Sequence, residues 1–140
     1  MAQSNDQTII DYITTKVLSS DGKHKHLGEV CVLLYKNVLR STVENGVFVI
    51  YYKDTDGTWI RYGHRDLVLN QLRTGLCSYI DKARYSLQSP KTNDLDYSKN
   101  MEKWQNSILK LLNIHEQLQD YTFMKCVLEE FILLVYKAII

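Results

Sequence analysis

The fold of this chain is decided by the stretch Val47–Tyr62, VFVIYYKDTDGTWIRY. Residues 47–52 form an unbroken run of β-branched and aromatic side chains, which are enriched in strands. Residues 54–57 have the composition of a turn, and residues 58–62 return to strand-like side chains. We therefore predict a β-hairpin with Asp56-Gly57 as a two-residue turn, because these residue types accept the positive φ angles of a tight turn.

The register of the predicted hairpin follows from the length of its turn. With Asp56-Gly57 as the turn, Tyr51 lies opposite Tyr62 and Lys53 lies opposite Ile60. Both faces of the hairpin are then rich in apolar side chains, and a two-stranded hairpin alone is marginal in water. Helices, a third strand or a partner must cover it. The two predicted faces are Val47, Val49, Tyr51, Ile60 and Tyr62 on one side, and Phe48, Ile50, Tyr52, Trp59 and Arg61 on the other.

The sequence on either side of the hairpin is helical in pattern. Apolar residues recur at three- and four-residue spacing in five segments, with turn residues or helix caps between them. We expect Asp66 and Asp120 to cap the third and fifth helices, a break at 115–117, and Ile50 and Trp59 in the core. The fold class is therefore α+β: about five helices packed around one β-hairpin, in a single domain of residues 1–140. The predicted helices span 7–18, 24–39, 67–87, 94–112 and 121–139.

The fifth predicted helix is apolar on nearly all sides. Its two stripes are Phe123, Val127, Phe131 and Leu134, and Leu128, Ile132, Val135 and Ile139. Such a helix is either central to a core or part of an interface. It continues to the end of the sequence without a cap, so we expect a piece of a longer chain. We also expect this helix to contact the following sequence or a second copy.

Composition excludes several classes of protein. The chain is 45% hydrophobic and 24% charged, which argues against disorder. Its net charge of +1 argues against nucleic-acid binding driven by the charge of the whole chain. Three widely separated cysteines indicate a reducing, intracellular compartment. The start of the chain is too polar for a signal peptide, and the apolar stretch 127–140 is too short and too charged to span a membrane.

No catalytic or cofactor-binding constellation is present in the sequence. His24-Lys25-His26 lacks the further ligands of a metal site, and a solvated helix start explains it better. The loop 54–57 resembles the opening of a calcium loop, but Gly63 stands where the bidentate glutamate is required. Gly22-Lys23 lacks the rest of a phosphate-binding loop. We therefore expect a domain without enzymatic activity, metal or cofactor.

Basic residues are concentrated in the middle of the chain. Residues 47–110 hold ten Lys or Arg and seven Asp or Glu, an excess of +3. Arginines beside aromatic rings are suited to phosphate contacts and base stacking. An ordinary solvated helix face is the alternative interpretation. The candidate nucleic-acid-binding residues are Trp59, Arg61, Tyr62, Arg65 and Arg73.

Four segments carry a resemblance to a known family. His26–Val30 begins an apolar helix with a histidine, and Trp59–Arg65 places a tryptophan in a second strand before a bend. Leu72–Ile80 and Phe123–Glu130 are similar to later helices, so the match covers about 25–136. The order resembles the domain that precedes the superfamily-3 helicase in poxvirus-type viral and phage primase–helicases. Family members usually have another tryptophan after the bend, where this chain has Asp66-Leu67.

The resemblance implies a function in DNA replication. It implies a non-catalytic module of a viral or mobile-element replication protein, which supports DNA engagement or positions the helicase ring in the host cytoplasm or nucleus. Its expected partners are weakly bound DNA, the helicase domain, and a second copy through the C-terminal helix. The alternative is a protein–protein adaptor or oligomerisation domain that binds no nucleic acid. A basic groove around Arg61, Arg65 and Arg73 favours the first function, and an exposed apolar patch near the C-terminal helix favours the second.

Overall fold

The helices and strands of this protein share one continuous hydrophobic core. The computed structural model describes residues 2–20 and 23–139. Across those residues the chain forms five α-helices and one antiparallel sheet in the order β1-β2-β3, so the fold class is α+β as predicted. The helices are α1 (Ala2–Tyr12, continued by a π-helical turn at Ile13–Val17), α2 (Lys23–Tyr35), α3 (Arg65–Ser86), α4 (Tyr97–Gln117) and α5 (Tyr121–Ile139), and the strands are β1 (Leu39–Glu44), β2 (Val47–Lys53) and β3 (Trp59–Arg61).

Strand β1 is the main departure from the predicted fold. The second helix was predicted to reach Leu39, but it ends at Tyr35. Residues 39–44 pair with β2, with Leu39 opposite Tyr52 and Glu44 opposite Val47. Asn45 and Gly46 both have positive φ angles, 54° and 77°, as a tight two-residue hairpin turn requires. The sheet therefore has three strands, and its first hairpin forms at Asn45-Gly46.

The second hairpin has a three-residue loop rather than the predicted two-residue turn. Gly57 N donates to Asp54 O at 3.0 Å, and Asp54 N donates to Thr58 O at 2.7 Å. Gly57 has a φ of 89°, so the loop is a turn followed by a left-handed glycine that forms a bulge. The added residue shifts the register by one, and Lys53 lies opposite Trp59. The predicted faces are therefore wrong for β3, because a one-residue shift moves every side chain to the other face.

The core-facing side of the sheet packs against α5. Ser41 Oγ donates to Ile132 O at 2.8 Å, and the Phe48 and Tyr136 rings meet edge to face at 5.5 Å. Ile50 is only 4% exposed, which confirms its predicted place in the core. Trp59 is half-buried on the opposite face of the sheet, so its predicted core position is wrong.

Helix α5 lies at the centre of the fold. At its crossing with α2, a Cβ on Gly28 would lie 3.0 Å from Glu130 Cβ and 3.3 Å from Phe131 N. Asp120 caps the helix as predicted, since its carboxylate accepts from Phe123 N at 3.0 Å. The described members of both apolar stripes are buried or half-buried, and Ile139 of the second stripe lies outside the described side chains.

Three other predicted helix boundaries shift. The first helix already begins at Ala2, and the predicted break at 115–117 is helical, because α4 runs from Tyr97 to Gln117. Helix α3 begins at Arg65 and is capped by His64, whose Nδ1 accepts from Asp66 N at 3.1 Å, so Asp66 is not the cap. Gly75 of α3 lies at a close crossing with α2, because it faces Tyr35.

Candidate nucleic-acid interface

The side of the sheet that faces away from α5 carries basic and aromatic side chains. Antiparallel pairing places Arg40, Tyr51 and Arg61 in one row across the three strands. Lys53 and Trp59 form the next row. Neighbouring strands lie about 4.8 Å apart, so the three-strand row spans roughly 10 Å. We call this set of five residues the outer sheet face.

Trp59 lies between two cations of the outer sheet face. Arg40 Cζ is 4.3 Å from the centroid of the indole ring, and Lys53 Nζ is 6.0 Å from it. Both distances fall within the range of cation–π attraction. Arg40 Nε is buried and has no hydrogen-bond partner among the described residues, and the indole ring lies against this guanidinium.

Acidic residues lie at both ends of this face. At the end of β1, Glu44 accepts a hydrogen bond from the Tyr51 hydroxyl, and this bond raises the pKa of Tyr51. In the β2–β3 loop, Asp54 accepts from Thr55 N at 2.7 Å and Asp56 accepts from Thr58 N at 3.0 Å. These carboxylates are hydrogen-bonded within their own loop or strand and place negative charge at both ends of the outer sheet face. The positive charge of the face therefore lies in its middle.

Arg65 lies beside Arg61 at the edge of the sheet. Both line a cleft of about 200 Å³ between β2 and the start of α3, together with Tyr62 and His64. Arg65 Nη2 donates to Phe48 O at 2.9 Å, which satisfies a carbonyl of β2. Arg65 is nevertheless exposed, so it extends the cationic surface from Arg61 towards α3.

Two of the five predicted binding residues instead make contacts within the fold. Arg73 Nε donates to Leu118 O at 2.8 Å, and its Nη1 donates to Asn70 Oδ1 at 2.8 Å, so Arg73 links α3 to the end of α4. The Tyr62 ring packs on Tyr52 with 4.7 Å between centroids, and its hydroxyl donates to the Gln71 side chain.

The structure thus brings together only part of the predicted site. Trp59 and Arg61 share the outer sheet face, and Arg65 adjoins it, whereas Arg73 and Tyr62 do not lie on that face. Sequence reasoning missed Arg40, Tyr51 and Lys53 as members of the site. The sequence signal that could have revealed Arg40 is Asn45-Gly46. A tight hairpin turn at these residues requires a strand on each side, and Arg40 lies in the strand before it.

Neither a scan of protein-family models nor a search of curated proteins gives a match. Within residues 2–20 and 23–139, the structure contains no group of three or more His, Cys, Asp or Glu that is arranged to hold a metal ion. None of the described helices combines the length and apolar character needed to cross a bilayer.

Proposed function

We propose that this domain is a non-catalytic module of a viral or mobile-element DNA replication protein, of the kind that precedes a superfamily-3 helicase. It engages DNA through the outer sheet face. The observation that carries this proposal is the clustering of Arg40, Lys53 and Arg61 around Trp59 on the side of the sheet away from α5. An intracellular location, in the cytoplasm or nucleus of a host, belongs to the same proposal and is consistent with three free cysteines.

The three cations are available for phosphate contacts. None of the ion pairs among the described residues involves Arg40, Lys53 or Arg61. A cation that neutralises a phosphate releases condensed counterions, so binding weakens as salt rises. With three phosphates engaged, the slope of log K against log salt is about −2 to −3. Phosphate contacts carry no sequence information, so the binding is non-specific. Binding through phosphate contacts alone is weak at physiological salt.

Fluorescence anisotropy with labelled DNA at several salt concentrations tests this proposal. We expect Arg40→Ala and Arg61→Ala each to make the slope less steep by nearly one unit. Lys99→Ala removes an exposed charge on α4 and is the matched control, with no change of slope expected. Arg73→Ala should also leave the slope unchanged, because its guanidinium binds the end of α4.

Two results would contradict the proposal. One is a folded protein that binds neither single- nor double-stranded DNA at low salt. The other is a slope that responds to Lys99→Ala as strongly as to Arg61→Ala, because binding would then be spread over the whole surface.

A second candidate function is a protein–protein adaptor or oligomerisation domain. It is favoured by α4, where Leu109 is 62% exposed and Leu112 is 43% exposed beside a hollow lined by Trp104 and Ile108. The predicted self-association through α5 has less support. The described residues of both apolar stripes on α5 are buried or half-buried, and Leu133, which is 43% exposed, lies off both stripes. Sedimentation velocity over a wide concentration range tests self-association through α4: a concentration-dependent shift that Leu109→Lys abolishes supports it, and a strict monomer contradicts it.

A further inference from the structure

We infer that the outer sheet face selects single-stranded DNA over duplex DNA by stacking one nucleobase on the indole ring of Trp59. This inference rests on the proposed function and adds the class of DNA that the site takes. It comes from one juxtaposition: a half-buried indole with a guanidinium 4.3 Å from its centroid, on an open sheet with further cations in the neighbouring row.

One face of the half-buried Trp59 indole ring is covered by the Arg40 guanidinium. A guanidinium is a planar group, and its position over the ring shows that this ring surface admits a flat ligand. A nucleobase is also flat and presents a π face. When a base takes the place of the guanidinium, Arg40 is freed to donate to the adjacent phosphate, where a charge-assisted hydrogen bond is stronger than an exposed cation–π contact.

The preference for single-stranded over duplex DNA follows from whether the π faces of the bases are free to stack on a side chain. In a duplex every internal base is stacked on its neighbours, so an aromatic side chain on a protein surface has no free π face to contact. In a single strand the bases can splay apart and stack on aromatic side chains, as they do on other open sheets that carry aromatic residues. Trp59 therefore adds affinity for single strands only, while Lys53 and Arg61 contribute to both forms.

The size of the face limits the length of DNA that it contacts. The row of Arg40, Tyr51 and Arg61 is roughly 10 Å wide, and the row of Lys53 and Trp59 is about half as wide. Glu44 at one end and the loop carboxylates of Asp54 and Asp56 at the other repel phosphate beyond the central rows. We therefore expect about two or three nucleotides in contact, as on other sheet platforms.

The test compares labelled oligothymidylate with a duplex of the same length by anisotropy. Trp59→Leu removes the ring and keeps apolar bulk, whereas Trp59→Phe keeps a ring that can stack. Tyr85→Leu is the matched control, because Arg84 Cζ lies 4.4 Å from the centroid of the exposed Tyr85 ring at the end of α3, away from the sheet. Circular dichroism melting confirms that each variant is folded.

We expect the wild-type protein to bind the single strand more tightly than the duplex. Trp59→Leu should weaken single-strand binding by about 5- to 100-fold, the usual effect of removing one base-stacking aromatic. Its duplex affinity and salt slope should not change, since the phosphate contacts remain. Trp59→Phe should retain most of the single-strand affinity, and Tyr85→Leu should retain all of it.

The outcomes separate this inference from the proposed function. Equal binding of both forms, with Trp59→Leu without effect, overturns base stacking and leaves the phosphate-contact proposal standing. A loss of affinity that Tyr85→Leu shares with Trp59→Leu also overturns it. Binding to neither form at low salt refutes the proposed function itself.

Discussion

Gly75→Ala should destabilise this protein, although alanine is the better helix former. Gly75 lies in α3 at its crossing with α2. A Cβ there would fall inside van der Waals contact with the Tyr35 hydroxyl, 3.0 Å from Tyr35 Cζ and 3.3 Å from Leu34 Cδ1. The hydroxyl is held in place because it donates to Gln71 O at 3.0 Å.

The magnitude follows from three opposing effects. Replacing glycine by alanine inside a helix gains about 1 kcal/mol. Overpacking a close contact costs about 1–3 kcal/mol, and losing the Tyr35–Gln71 hydrogen bond costs about 0.5–1.5 kcal/mol. We therefore expect the free energy of unfolding to fall by about 0.5–3.5 kcal/mol, measured by urea denaturation followed by circular dichroism.

Two further variants show whether the Tyr35 hydroxyl is the obstacle. Gly63→Ala is the matched control, because a Cβ at residue 63 meets no atom within 4 Å, and we expect no loss of stability. In a Tyr35→Phe background, Gly75→Ala should cost less than in the wild type, since residues in contact are energetically coupled. A higher urea midpoint for Gly75→Ala in the wild type, or an equal cost in both backgrounds, would refute the reasoning.

Two more outcomes concern stability. Ile50→Ala should lower the free energy of unfolding by about 2–5 kcal/mol in urea denaturation, whereas Val47→Ala on the same strand, 57% exposed, should have little effect; equal effects would contradict the burial of Ile50. Burial raises the pKa of Tyr35 to about 12, and a hydrogen bond to Asp6 together with burial raises that of Tyr79 to about 12. Both pKa values lie above the unfolded value of about 10. The two protonated phenols therefore make their full contribution to stability below pH 10, and this contribution falls as the pH rises from about 10 to about 12. Tyr35→Phe should make the alkaline fall in the denaturation midpoint shallower, and an unchanged fall would contradict the assignment.

Helix α5 was predictable because its local signals agree with its packing. An aspartate cap, two continuous apolar stripes and no internal breaker all indicate one helix from Tyr121, and the structure has it. Strand β1 was missed because helical spacing continues from Leu34 to Val38, and this periodicity was extended to Leu39. Asn45-Gly46 is itself a hairpin turn, and a turn at that position requires a strand before it.

The candidate site was predictable only in part because its geometry depends on register. Asp56-Gly57 permits both a two-residue turn and a three-residue loop with a bulge, and the choice decides which face carries Trp59 and Arg61. Arg40 was hidden because its strand was not predicted. Composition also cannot show that Arg73 donates to the carbonyl of Leu118, 45 residues away in sequence.

The central position of α5 has a consequence for the order of folding. Gly28 of α2 lies against Phe131, and Ser41 of β1 is bonded to Ile132, so contacts across about ninety to a hundred residues of sequence close the core. Local elements such as the β1–β2 hairpin can form early. The contacts of α5 with α2 and β1 form later, because the entropy cost of closing a long loop comes before any stabilising contact is made. During synthesis from the N-terminus, α2 and the sheet therefore remain without their apolar cover until α5 has left the ribosome. In that interval their apolar surface is exposed, which is the condition under which incompletely folded chains aggregate or bind chaperones.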